Sequence, residues 1–91
     1  MSYGTLTADG TGSSFSIGSG PKHLRVHGSW GGGTFKLQIQ QNDATWSDIY
    51  ADGSAKTYTV DDEDIYEFVG PVNLRTDLSG STTPSLYWEV R

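Results

Sequence analysis

The amino-acid sequence predicts an all-β fold: a small antiparallel β-sandwich with about eight to nine short strands, of jelly-roll type or closed into a small barrel. Apolar and polar residues alternate with a period of two along several short runs, which is typical of strands that bury one face. Turn residues separate these runs at intervals of about 8–12 positions. No window repeats apolar residues at the spacing of an amphipathic helix, so helices are not expected.

The first 21 residues differ from the rest, because they are rich in Gly, Ser and Thr and contain few apolar side chains. We predict that residues 1–21 form an N-terminal arm or edge strands, and that residues 22–91 form a single sandwich domain. Short strands are expected at 4–7 and 14–17. A segment of this composition buries little apolar surface on its own, so it depends on a neighbour for order.

Four later runs show the clearest alternation, and each has one apolar and one polar face. Shorter strands are expected at 46–50, 56–60 and 65–69. Turn dipeptides fall between the runs, and Pro84 keeps the loop 79–85 out of any central strand. The residues expected to face the core are Leu24, Val26, Phe35, Leu37, Ile39, Val72, Leu74, Thr76, Leu86, Trp88 and Val90. The expected turns are Asp9-Gly10, Gly20-Pro21, Asn42-Asp43, Asp52-Gly53 and Gly70-Pro71.

The charge and cysteine content exclude several kinds of protein. The net charge is −5, but four acids lie together in the run 61–64, and the remaining seven acids face six bases. No cationic stripe is present, so neither nucleic acid nor a membrane surface is an expected partner. With no cysteine, the chain has no disulfide or thiolate metal site to supplement a thin core. Oligomerisation or docking on a larger surface is the expected supplement.

The acidic run "DDED" has two interpretations. Carboxylates are ligands for hard cations, which makes Asp61, Asp62 and Asp64 weak candidates for a calcium site. However, consecutive acids in a regular strand do not converge on one ion, and the EF-hand spacing is absent. We therefore predict a solvated charged turn between strands 56–60 and 65–69, and neither a metal nor a cofactor.

No combination of residues indicates catalysis. His23 and His27 share one face of a predicted strand, but no third metal ligand accompanies them. The sequence contains no G-x-S-x-G elbow, Walker A loop or dinucleotide fingerprint. Glu67 and Glu89 have nothing that distinguishes them from ordinary surface carboxylates. The sequence predicts a non-enzymatic protein without catalytic residues.

The aromatic residues are numerous for a domain of this size and suggest a recognition surface. Trp88 is in phase with the apolar residues of its strand and is expected in the core. The candidates for partner binding are Tyr3, Phe15, Trp30 and Tyr50. Trp30 begins the stretch "WGGG", which is predicted to be a tight corner between two strands, because a strand and not a helix follows it.

Two segments carry a resemblance to a known class of proteins. The segment "GSWGGGTFKLQIQQNDATWSDI" at 28–49 has a glycine-rich corner, an alternating strand, a polar turn and a Thr-Trp pair. The segment "GPVNLRTDLSGSTTPSLYWEVR" at 70–91 has a Val-x-Leu-Arg strand, a Ser/Thr/Pro loop and a final strand. Together they resemble segments of small virion proteins encoded by tailed phages, over about half of the chain.

The resemblance implies a small β-sandwich structural protein of a phage particle. We expect a capsid decoration or cement protein that binds the major capsid protein, or other virion proteins, and stabilises the shell. It further implies a homo-oligomer, with a trimer favoured, and a location in the virion after synthesis in the bacterial cytoplasm. The alternative is a carbohydrate-binding or receptor-binding module of a fibre or tail that uses surface Trp and Tyr side chains.

Overall fold

The chain forms antiparallel β-sheets, and a computed structural model describes residues 2–91. These residues form eleven strands and no helix, and so include no helix that could cross a membrane. In chain order the strands are β1 (Ser2–Leu6), β2 (Gly10–Thr11), β3 (Phe15–Ile17), β4 (Gly20–Ser29), β5 (Thr34–Gln40), β6 (Trp46–Asp48), β7 (Tyr50–Ala51), β8 (Ser54–Ala55), β9 (Asp62–Phe68), β10 (Val72–Ser79) and β11 (Ser85–Val90).

The strands are divided between two main sheets that pack against each other. The first sheet has the order β1-β11-β4-β9. The second has the order β2-β10-β5-β6, and β3 also pairs with β10. A separate hairpin is formed by β7 and β8. This division confirms the predicted β-sandwich.

The pairing is nested, as in one long hairpin wrapped around a core. β1 pairs with β11, β2 and β3 pair with β10, β4 pairs with β9, and β5 pairs with β6. β2 and β3 can be counted as one interrupted strand, and the β7–β8 hairpin as an insertion. The eight remaining strands then pair first with eighth, second with seventh, third with sixth and fourth with fifth. This is the winding of a jelly roll.

The core lies between the two sheets and is built from the predicted apolar phase. Phe35, Leu74, Leu86 and Val26 are completely buried. The side chains that alternate with them face solvent or form polar contacts on the outer faces, as a period of two requires. β9 differs from the other strands, because its tyrosine Tyr66 is buried while the apolar Ile65 is exposed.

Two expectations for residues 56–64 are wrong. Residues 56–60 do not form a strand, and only Tyr58 makes an isolated bridge, with Phe35. The acidic run is not a turn, because β9 begins at Asp62 and includes the following two acids. β4 supplies backbone partners along this part of β9, and Arg25 lies opposite Glu63. These cross-strand partners offset the low strand propensity of consecutive acids.

A polar network holds the segment 56–60 to β9. The Tyr58 hydroxyl donates to Asp64 at 2.6 Å and lies 2.6 Å from the Tyr66 hydroxyl. The Lys56 ammonium lies 3.0 Å from the Asp64 carboxylate and 4.1 Å from the centre of the Tyr66 ring. Both tyrosine rings are buried, so their hydroxyl groups require these partners.

The dipeptide Gly20-Pro21, expected to be a turn, begins β4 instead. Pro21 lies opposite Glu67 of β9. On its other side the ladder to β11 ends at the mutual backbone bonds of His23 and Arg91, so no strand of the described residues meets Pro21 there. The missing N–H of proline therefore removes no hydrogen bond, which is why proline is tolerated at the start of this central strand.

Residues 30–33 form the predicted corner between β4 and β5. Gly31 and Gly32 have φ angles of 57° and 78°, in the region that favours glycine. The Gly33 N–H donates to the Trp30 carbonyl at 2.9 Å and closes the turn. The Gly31 carbonyl accepts from the Thr82 N–H at 3.0 Å, which ties the corner to the loop before β11.

Candidate binding groove at the open edge of the sandwich

A groove of about 490 Å³ opens at one side of the sandwich, between β1 of the first sheet and β2 and β3 of the second. Its two long walls are runs of consecutive residues, Ser2–Leu6 on one side and 12–15 on the other. Thr76 and Trp88 line it between the walls. The groove therefore brings together Tyr3 and Phe15, two of the four residues predicted to bind a partner.

The groove has an aromatic floor. Phe15 and Trp88 stack with their ring centroids 5.1 Å apart and their planes inclined by 26°. Trp88 is 7% exposed, as expected for a core residue, but its ring extends outward beneath β1. A Cβ atom at Gly4 would lie only 3.0 Å from the Trp88 Nε1 atom, so glycine at this position leaves room for the indole.

The indole N–H of Trp88 is available to a ligand. No hydrogen bond joins it to another side chain within residues 2–91, and it is not among buried polar atoms that lack a partner. Trp88 lines the groove, and its Nε1 atom lies next to Gly4 of the β1 wall. The floor thus combines a stacked apolar surface with one donor, the usual composition of a recognition site.

The direction of the backbone groups on β11 follows from one pair of hydrogen bonds. His23 and Arg91 each donate a backbone N–H to the other's carbonyl, at 2.7 and 3.0 Å. In an antiparallel ladder, mutually bonded pairs alternate with pairs whose backbone groups point away from each other. Residues of β11 with odd numbers therefore bond to β4, and those with even numbers bond to β1.

Tyr3 and Thr5 consequently have free backbone groups at the rim of the groove. In the register they lie opposite Glu89 and Tyr87, which have odd numbers and bond to β4. The N–H and C=O groups of Tyr3 and Thr5 therefore point away from the sheet. Among residues 2–91 no strand pairs with β1 on that side, so the edge is open to another strand.

The opposite wall is an interrupted strand. The Gly12 N–H donates to the Thr76 carbonyl at 2.9 Å, which continues the pairing of β2 with β10. A Cβ at Gly12 would lie 2.5 Å from Thr76 Oγ1, so any other residue here would require the buried Thr76 side chain to move. Ser13 and Ser14 leave the ladder before β3 begins, and both are exposed. This wall offers hydroxyl groups and irregular backbone.

The lining of the groove has no charged side chain within residues 2–91. None of the eleven lining residues in this range is acidic or basic, although the chain as a whole has a net charge of −5. Glu89 lies opposite Tyr3 in the register, and Arg25 lies opposite Glu89. Both charged residues are on the outer face of the first sheet. A ligand in the groove therefore meets apolar surface, hydroxyl groups and backbone dipoles.

A row of aromatic rings crosses the outer face of the first sheet beside the groove. The Tyr3 and Tyr87 ring centroids are 6.5 Å apart, and those of Tyr87 and His27 are 5.4 Å apart. Desolvation, followed by the neighbouring Glu89 carboxylate, raises the pKa of Tyr87 above its ordinary value. Tyr3 is 65% exposed, so this row has an accessible end.

Comparisons of the chain with protein-family models, curated proteins and solved structures give no match. The function must therefore be argued from the geometry of the site and not from the fold.

Trp30, the third predicted partner-binding residue, lies away from the groove and is held within the protein. Its indole Nε1 donates to Asp61 at 2.8 Å, and the same carboxylate oxygen accepts from the Gly28 N–H at 3.0 Å. These bonds, with that from Trp30 first, hold the pKa of Asp61 below its usual range. The ring also packs against the core. Trp30 thus joins the corner 30–33 to the start of β9.

We predict that Trp30→Phe lowers the melting temperature by about 4–8 °C, because a hydrogen bond worth about 1 kcal/mol is lost while an aromatic ring remains at this position. The same variant should bind a groove ligand as the unaltered protein does. Thermal unfolding followed by circular dichroism gives the first value, and a binding isotherm gives the second. Loss of partner binding in a fully folded Trp30→Phe variant would instead place Trp30 on the recognition surface.

Tyr50, the fourth predicted partner-binding residue, lies in the β7–β8 hairpin. Asp52 and Gly53 have φ angles of 53° and 81° and form the tight turn between the two strands. Tyr50 is 66% exposed, so its ring is available to a partner. It does not line the groove, and the structure therefore does not unite all four candidates in one surface.

The acidic candidates for a cation are engaged with protein groups. Asp61 accepts from Trp30 and Gly28, as described above. Asp62 accepts from the backbone N–H of the next residue at 2.8 Å. Burial alone would raise the pKa of Asp64, but hydrogen bonds from Tyr58 and Lys56 outweigh it and lower that pKa. Within residues 2–91, no three His, Asp or Glu side chains are grouped to hold a metal ion.

Sequence reasoning missed two parts of the groove. The phase of Trp88 in its strand predicts a core position, but phase does not show that a buried ring also forms the floor of a surface site. Gly4 was the available signal, because a glycine in the middle of a strand often marks a close approach. The free backbone groups of Thr5 follow only from the strand order, which the sequence pattern does not give.

Proposed function

We propose that the protein is a non-enzymatic structural protein of a phage virion, most specifically a capsid decoration or cement protein. Its partners would be the major capsid protein or another virion protein, and it would stabilise the shell by binding to it. The observation that supports this proposal is the uncharged groove beside the open edge of β1. An edge of this kind binds protein main chain, and natural proteins usually cover or charge an edge that has no partner.

Further properties of the chain fit an adhesive role. The resemblance of residues 28–49 and 70–91 to small virion proteins points in the same direction. A homo-oligomer, with a trimer favoured, would present several copies of the groove and multiply weak contacts on a symmetric shell. The acidic chain has no cationic surface stripe, so we propose no nucleic-acid or membrane partner.

Co-purification with assembled capsids tests this proposal. We expect the protein to sediment with the capsids of the phage whose genome encodes it, at a fixed copy number for each capsid subunit. Capsids that lack the protein should be less resistant to heat, and adding it back should restore the resistance. Absence from purified particles, with no binding to capsids on addition, would contradict the proposal.

A carbohydrate-binding or receptor-binding module of a fibre or tail is the second candidate function. The row formed by Tyr3, Tyr87 and His27 favours it, because aromatic rings that reach the surface, as Tyr3 does here, are a common platform for sugars. A glycan array should then show binding that Tyr3→Ala and Tyr87→Ala remove. Capsid binding that both variants retain, with no glycan bound, would favour the decoration protein.

A further inference from the structure

We propose that the groove binds an extended, uncharged segment of a partner protein, which pairs with β1 as an added strand. This inference rests on the proposed function, because it specifies the chemistry by which an adhesive protein of this fold would hold its partner. The added strand would lie beside Ser2–Leu6, with the Phe15–Trp88 stack beneath it.

The main-chain groups at the rim determine the kind of occupant. Tyr3 and Thr5 each point an N–H and a C=O away from β11, as the ladder register requires. Such groups recur with the two-residue spacing of a strand. Another strand satisfies all of them together, with about four main-chain hydrogen bonds. A compact ligand reaches only part of such a row.

The length and shape of the groove match a strand of a few residues. Its walls run along consecutive backbone positions, five on the side of β1. At about 3.3 Å for each residue of a strand, five residues span about 16 Å. The volume of about 490 Å³ is accordingly distributed along the edge and not in a deep pit.

The lining determines which side chains the strand carries. Alternate residues of an added strand would face inward onto Phe15 and Trp88, so apolar side chains are expected at every second position. The residues between them face outward, beside the ring of Tyr3. A charged side chain directed inward would lose its hydration without a counter-charge from the lining residues within 2–91, none of which is acidic or basic. The partner segment is therefore uncharged, with alternating apolar residues.

Substitutions at Thr5 test the pairing. Thr5→Pro removes the N–H that faces the open edge and places the proline ring there, but breaks no hydrogen bond to β11. Thr5→Ala is the matched control, since it keeps the N–H. The probe is a fluorescent, capped peptide of alternating threonine and valine, about six residues long. We expect Thr5→Pro to bind the peptide about tenfold or more weakly than Thr5→Ala does.

A second measurement does not depend on the folding of a variant. Methylation of the peptide backbone nitrogens on alternate residues removes the donors on one edge of the probe and leaves its side chains intact. Of two such peptides, methylated on opposite edges, one should bind the unaltered protein about tenfold more weakly than the other. Thermal melts of Thr5→Pro and Thr5→Ala show whether both variants are folded.

Several outcomes would overturn the inference. Equal binding by Thr5→Pro and Thr5→Ala, together with equal binding of the two methylated peptides, excludes strand pairing. If a soluble oligosaccharide displaces the peptide, and Thr5→Pro does not change peptide binding, the groove is a sugar site. If Thr5→Pro dissociates an oligomer of the unaltered protein in sedimentation, the groove holds a second copy of the chain instead of a different partner.

The two proposals fail separately. If capsids bind the protein and Thr5→Pro binds them as well as Thr5→Ala does, the decoration role stands and strand addition in this groove is excluded. If the peptides behave as expected but no capsid binds, the groove accepts a strand and the partner lies outside the virion shell.

Discussion

Replacing Gly31 with alanine is expected to destabilise the protein by about 3 kcal/mol or more, whereas alanine at the adjacent Gly32 should cost only about 1–2 kcal/mol. Both residues have positive φ angles, so both substitutions carry the cost of a left-handed conformation. The difference is in the surroundings. A Cβ at Gly31 would overlap the Thr82 carbonyl, and one at Gly32 meets nothing within 4 Å.

The overlap at Gly31 involves backbone on both sides, so no side-chain rotation relieves it. The Gly31 carbonyl also accepts from the Thr82 N–H, and moving the two segments apart would break that bond. A domain of this size has a free energy of unfolding of about 5–14 kcal/mol, so the loss is a large fraction of the total. Urea unfolding of the two variants, followed by tryptophan fluorescence, measures the difference directly.

Equal destabilisation by the two alanine substitutions would show that only the backbone conformation matters at this corner. The corner would then be independent of the loop before β11. The expected inequality instead means that "WGGG" joins two separate connections at one end of the sandwich. The glycine at position 31 is required for that contact and not merely for a turn.

The sandwich could be predicted because the long strands β4, β5, β10 and β11 bury several residues of one face. Leu24 and Val26 of β4, and Phe35 and Leu37 of β5, follow the period of two and are at most 1% exposed. A shift by one residue would expose every one of them, so the pattern fixes the phase. The number of strands was less accurate, because the two-residue strands β2, β7 and β8 bury almost nothing and leave no periodic signal.

The segment 56–64 could not be predicted for a different reason. The apolar and aromatic residues around Tyr58 have strand propensity, and the acids after it are typical of a turn. The tertiary structure reverses both preferences, because β4 pairs with the acids and a single polar network holds Tyr58. Propensity is a local quantity, whereas the β4 partners of the acids lie about 36 to 40 residues away in the chain.

The groove lay beyond sequence analysis because its essential groups are main-chain atoms. The free N–H and C=O groups of Thr5 belong to every residue type except proline. Their direction depends on which strand pairs with β1, and on the parity of the register. The aromatic residues Tyr3 and Phe15 could be proposed as binding residues from composition, but their common location required the fold.

Above pH 10 the protein is expected to lose stability as the pH rises, and Tyr66→Phe is expected to make this loss smaller. Burial, followed by the Asp64 carboxylate, raises the pKa of Tyr66 to about 12. Burial and the hydrogen bond to Asp64 also raise the pKa of Tyr58. In the unfolded chain both hydroxyls ionise near pH 10. Between about pH 10 and pH 12 the unfolded state therefore binds fewer protons than the folded state, and unfolding becomes more favourable as the pH rises.

The contribution of Tyr66 to the free energy of unfolding is fully present below about pH 10 and is lost as the pH approaches 12. A difference of about two pKa units corresponds to about 3 kcal/mol. Tyr66→Phe removes this contribution, and the variant with both Tyr58 and Tyr66 changed to phenylalanine should have the flattest profile. At neutral pH the single change should cost about 1 kcal/mol, since Tyr58 keeps its bond to Asp64.

Urea midpoints measured at intervals from pH 8 to about pH 11.5 give the required profiles. Tyr50→Phe is the matched control, because the Tyr50 side chain is 66% exposed. Loss of this hydroxyl should leave the decline of the urea midpoint above pH 10 unchanged. If Tyr66→Phe and the unaltered protein decline in parallel above pH 10, the hydroxyl of Tyr66 ionises normally in the folded state. The network around Asp64 would then be open to water, and it could not hold the segment 56–60 against β9 as the hydrogen bonds imply.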